Sequence, residues 1–170
     1  MSQLVALAVS IGLLGGVATI LYLKVGLLIW AGFLAWACFF HSGGNDAALK
    51  STIICNAFGA FCAWVAAMIL VSVPMADMAG LPVWPGIVVG LTVFALVLGS
   101  QFKPFASIPA SVYGYAATFA FLLANPGTNL TKEMLTSMGM GNALIIVVVS
   151  MVLGALFGFA SGKMAGALKK

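Results

Sequence analysis

The sequence predicts an all-α, polytopic membrane protein with six transmembrane helices arranged as two inverted three-helix repeats. Three observations predict it. First, 64% of the 170 residues are hydrophobic and only 6% are charged, a balance that excludes disorder and an ordinary soluble fold. Second, the apolar residues form six blocks, 4–23, 25–40, 51–73, 84–101, 105–124 and 142–162. Each approaches the ~20 residues needed to cross ~30 Å of hydrocarbon. Third, the order of features in 1–80 recurs in 81–170. The blocks leave no stretch for a soluble domain, so 1–170 reads as one transmembrane domain with those two halves.

The first block lacks a charged n-region and further spans follow it at once, which predicts a permanent helix and not a cleaved signal. Gly12, Gly15 and Gly16 mark a close-packing face on it. Lys24 alone parts it from the second block, which predicts a tight hairpin. The second block ends in the polar run Phe39-Phe40-His41-Ser42-Gly43-Gly44-Asn45-Asp46, where Asn45 and Asp46 are candidate caps for the third helix. The third block carries Asn56, a carboxamide that is costly in hydrocarbon unless it faces other helices or water.

Pro74, Gly80 and Pro82 mark the connection to the fourth block, and Pro85 suits that helix's first turn. Gly86 and Gly90 form a GxxxG pair there, as Gly154 and Gly158 do in the sixth block. Pro109 lies near the start of the fifth block, where it removes a backbone donor and can bend the helix. Asn125-Pro126-Gly127 ends that block with turn chemistry. The polar stretch 128–141 is expected to leave the membrane or lie at its surface.

The repeat is read from matched landmarks. Trp30-Ala31-Gly32-Phe33 pairs with Val112-Tyr113-Gly114-Tyr115, and the turn 41–45 pairs with 125–127. Lys50 and Gly59 then pair with Lys132 and Gly154. Three spans per half is odd, so the halves cross the membrane in opposite senses, the construction that sets a site near the midplane in many transporters.

All seven basic residues are Lys, scattered at span ends. That pattern fits interfacial snorkelling and argues against nucleic acid as a partner. With the N-terminus inside, Lys50, Lys103, Lys163, Lys169 and Lys170 fall inside. Lys24 and Lys132 fall outside, with Asp77 and Glu133. The positive-inside rule therefore predicts cytoplasmic termini.

One His, two Asp and one Glu supply no enzyme signature, phosphate loop or metal motif. Cys38, Cys55 and Cys62 read as small packing residues. The expectation is therefore no enzyme, no cofactor and no metal. An ion-coupled transporter usually keeps a carboxylate within the membrane, and none is placed there. That points to a channel or facilitator for a small neutral polar solute, urea-like amides among the candidates. The alternatives are a structural or partner-binding membrane subunit and an ion-coupled transporter.

The candidate path combines Phe39, Phe40, His41, Asn45, Asn56, Tyr115, Thr118 and Phe119. Aromatic rings would exclude hydrated ions, while imidazole, carboxamide and hydroxyl groups would replace a solute's water. His41 would make the mouth sensitive to pH. The packing set is Gly12, Gly16, Gly86, Gly90, Gly154 and Gly158, which suits a homo-oligomer in the lipid bilayer.

Three stretches carry a resemblance. They are Gly26-Leu27-Leu28-Ile29-Trp30-Ala31-Gly32-Phe33-Leu34, the glycine loop before Leu49-Lys50, and Pro109 through Gly114 to Ala117-Thr118-Phe119-Ala120. Together they resemble the YcdZ-like family of bacterial inner-membrane proteins of unknown function, over most of the chain. The resemblance implies a small multi-pass inner-membrane protein and brings no site residues with it.

Overall fold

The computed structural model describes residues 1–73, 75, 80 and 82–169. The topology assignments of Asp77 and Lys170, and Pro74 of the third connection, lie outside the described residues. Among the described residues the regular structure is helical.

Helix α1 (Gln3–Val25) starts at Ser2, whose side chain accepts the Val5 N–H at 3.3 Å. It stops at Gly26, whose φ of 71° turns the chain left-handed while its N–H bonds the Tyr22 carbonyl. Glycine adopts that conformation at no steric cost. The hairpin break is thus set by Gly26 and not by Lys24, which remains in the last turn of α1. Helix α2 (Ile29–His41) follows directly. Asn45 then caps α3 (Asp46–Ser72) by accepting the Ala48 N–H at 2.9 Å, as its position predicts.

Helix α4 (Val83–Gly99) leads through a short 3₁₀ turn, Lys103–Phe105, to α5 (Ile108–Ala124). Ser107 caps α5, and Pro109 sits in its first turn. A first-turn proline removes an N–H that has no intrahelical acceptor anyway. The expected start at Phe105 moves to Ile108. Two short helices, α6 (Pro126–Asn129) and α7 (Lys132–Thr136), precede the long α8 (Ala143–Leu168).

Length separates these helices into two groups. α1, α3 and α8 have 23, 27 and 26 residues and are long and apolar enough to cross a membrane. α2 has 13 residues, and α4 and α5 have 17 each. At 1.5 Å per residue α2 is about 20 Å long and α4 and α5 about 26 Å.

The chain forms two compact units, each built from both halves of the sequence. Met1–Ile53 and Val149–Lys170 make the first, and Ile54–Val148 the second. In the first unit α1 runs antiparallel to α8. The Tyr22 hydroxyl donates to the Ser150 carbonyl at 2.6 Å, while Lys169 Nζ donates to Gln3 Oε1 at 3.3 Å near the other end of α1. α2 runs in the same sense as α8. A Cβ on Gly154 would overlap the Gly32 carbonyl, one on Gly158 would crowd Trp36, and Gly162 lies beside Phe39 and Phe40. Such backbone approach is what glycine faces permit between helices.

Ser150 ties this unit together. Its hydroxyl accepts the Leu28 N–H at 3.0 Å, just ahead of the first turn of α2, where no side chain supplies a cap. Trp36 Nε1 donates to Ser161 at 3.1 Å further along the same pair of helices. Asp46 and Lys163 lie 3.6 Å apart at the end of the unit that holds Gln3 and Lys169. Both are well exposed, so that ion pair contributes little stability.

In the second unit Ala63, Leu96 and Tyr115 form one apolar cluster with Phe58, Val93 and Phe119. Ala67, Leu122, Leu135 and Ala143 form another with Trp64 and Phe121. The stretch 128–141 packs in part against this unit. Leu135 is fully buried, and its carbonyl accepts from Trp64 Nε1 at 2.8 Å and Asn142 Nδ2 at 3.0 Å.

Candidate functional site at the crossing of α3 and α5

Small residues bring α3 and α5 into backbone contact. A Cβ on Gly59 would overlap the Ser111 carbonyl oxygen, and one on Gly114 would overlap the Asn56 carbonyl oxygen. The contact is reciprocal. Each glycine of one helix faces the residue three positions before the glycine of the other.

Those two residues are polar. Asn56 is 2% exposed and Ser111 is 1% exposed. Asn56 Nδ2, Asn56 Oδ1 and Ser111 Oγ are all buried without a hydrogen-bond partner. An unpaired buried amide or hydroxyl costs roughly 1–3 kcal/mol by mutational measures, so a structural role leaves these groups unexplained. The interhelical bond that would satisfy Asn56 is not formed. One turn before Asn56 on α3, Thr52 Oγ1 is also buried without a partner.

The other polar groups of the second unit next to the crossing are occupied. Thr118 donates to the Gly114 carbonyl at 3.0 Å within α5. The Tyr115 hydroxyl pairs with Thr92 of α4 at 2.8 Å. Phe119 lies against the Tyr115 ring, with centroids 5.2 Å apart. Cys55, beside Asn56, donates to the Pro104 carbonyl at 3.5 Å. What the crossing offers is therefore one carboxamide and one hydroxyl, uncharged, each both donor and acceptor.

The eight candidate path residues divide between the units. Phe39, Phe40, His41 and Asn45 belong to the first, and Asn56, Tyr115, Thr118 and Phe119 to the second. Phe39 is fully buried and meets Phe40 and Phe159 edge-on, with centroids 5.1 and 6.2 Å away. His41 and Asn45 are exposed, and Asn45 is engaged as the α3 cap.

The packing glycines also divide. Gly154 and Gly158 are used within the chain. Gly12, Gly16, Gly86 and Gly90 have nothing within 4 Å of where a Cβ would stand, and they face outward. Ser111, Gly59 and Gly114 belong to neither candidate set. The signal that finds them is a shared spacing, Asn56-x-x-Gly59 on one helix and Ser111-x-x-Gly114 on the other.

Long apolar helices, glycine crossings and lysines at helix ends define a helical membrane protein. Residues 8–166 match the family described as Protein of unknown function (DUF1097), and the chain belongs to that family. Neither a curated protein nor a solved structure matches it.

Proposed function

We propose that this protein is a six-span channel or facilitator for a small neutral polar solute in the bacterial inner membrane, one domain with both termini cytoplasmic. The observation that carries the solute reading is that the Asn56 carboxamide and the Ser111 hydroxyl are both unpartnered at one helix crossing, where the backbone of each meets a glycine of the other helix. A solute with its own donors and acceptors would supply what these groups lack. Charge selection follows from the site's neutrality, since ions lose hydration there with no counter-charge.

The six-span reading draws on helix direction in the first unit. α1 and α8 are antiparallel and α2 and α8 parallel, the senses given by strict alternation through α3, α4 and α5. The inverted repeat draws on two crossings at which a glycine meets the opposing backbone, α2 with α8 at Gly154 and α5 with α3 at Gly59 and Gly114. The inner-membrane placement rests on the YcdZ-like resemblance. Reporter fusions at Lys170 and within 77–81 should report opposite sides of the membrane; the same side for both would sink the topology.

Purified protein in liposomes should pass urea-like amides faster than empty liposomes do and leave sodium and proton leak unchanged. A flux of ions, or no flux of any neutral solute, would overturn the reading. A second reading, a packing subunit of a larger or homo-oligomeric assembly, is favoured by the outward glycines Gly12, Gly16, Gly86 and Gly90. It gives no flux in the same assay.

A further inference from the structure

At the end of the first unit where the two ends of the described chain meet, a cleft of about 360 Å³ opens between α1, the end of α2 and α8. Leu7, Phe40 and Ala165 give it an apolar wall, and Gln3 and Lys169 give it a polar mouth. Gly166 lines it with no side chain and nothing within 4 Å of where a Cβ would stand.

The charge around it is unbalanced. Asp46 is the one acidic side chain that the sequence places in this unit, and Lys163 lies 3.6 Å from it. Lys169 has the neutral Gln3 carboxamide as its hydrogen-bond acceptor at 3.3 Å.

We infer that this cleft binds the anionic headgroup of a phospholipid, with Lys169 and Gln3 on the phosphate and the glycerol and upper acyl chain against Leu7 and Phe40. The argument is charge complementarity at a helix end in a membrane protein. A cation beside an apolar wall matches a lipid's two parts, and a basic pocket between helices at the membrane surface is suited to anionic headgroups. A free phosphate would use the lysine and leave the apolar wall wet.

The test uses the full-length chain purified in detergent and given phosphatidylglycerol, phosphatidylcholine or inorganic phosphate, with bound lipid counted by native mass spectrometry. Phosphatidylglycerol should be retained in preference to phosphatidylcholine. Lys169→Gln should weaken it about fivefold, the effect of one interfacial lysine, and Lys169→Arg should keep it. Gly166→Leu should fill the cleft and displace the lipid, while circular dichroism and melting stay at wild-type values because its side chain enters open space. Equal retention of the two lipids would overturn the proposal. So would phosphatidylglycerol binding untouched by both Lys169→Gln and Gly166→Leu. Full displacement of the lipid by equimolar inorganic phosphate would reassign the cleft to free anions and overturn it as well.

Discussion

Alanine at Gly114 should destabilise the folded chain by about 3 kcal/mol, the upper end of what overpacking typically costs. The added Cβ would overlap the Asn56 carbonyl oxygen. A side chain could rotate away, but a carbonyl within α3 is held by its own helix, so α3 and α5 must separate. Separation would also loosen the cluster in which Ala63 and Phe58 of α3 pack with Tyr115 and Phe119 of α5. Gly59→Ala meets the Ser111 carbonyl and should act alike. The controls are Gly12→Ala and Gly86→Ala, where the Cβ enters open space. Alanine is the better helix former by up to ~1 kcal/mol, so these should melt at or slightly above the wild-type temperature in detergent. A wild-type melting curve for Gly114→Ala would mean that the crossing is looser than its geometry implies.

The contrast between these glycines explains what is legible in the sequence. The apolar blocks are readable because helix length in hydrocarbon follows from composition alone. Asn45 is readable as a cap because its chemistry acts over three residues. GxxxG pairs, in contrast, report that a helix face is small without saying what lies opposite. Gly86 and Gly90 share their spacing with Gly154 and Gly158, yet one pair faces outward and the other packs within the chain. Helix ends depart from expectation where a backbone device decides them, as at Gly26 with its φ of 71° and at Ser107 before Pro109. Asn56 stands out in the sequence because a carboxamide in an apolar helix demands a partner. That none is formed depends on α5, more than fifty residues away, and no local pattern carries it.

Replacing Asn56 with leucine should move stability and transport in opposite directions. The wild-type side chain holds one donor group and one acceptor buried without partners. Removing an unpaired buried polar group recovers about 1–3 kcal/mol, so the variant should melt at or above the wild-type temperature. Leucine is bulkier than asparagine and can overpack. Asn56→Ala therefore accompanies it, removing the carboxamide without adding volume. Neutral-solute flux in liposomes should fall about tenfold in both, since about 1.4 kcal/mol of lost hydrogen bonding to the solute is a factor of ten. Ser111→Ala should lower flux less, because a hydroxyl offers fewer bonds than a carboxamide. The two readouts separate the roles. If Asn56 served packing, both substitutions would destabilise the protein and flux would fall only with the amount folded. If both variants are stable and their flux per folded protein equals wild type, the α3–α5 crossing is not on the path, and the outward glycine faces become the better guide to what this protein does.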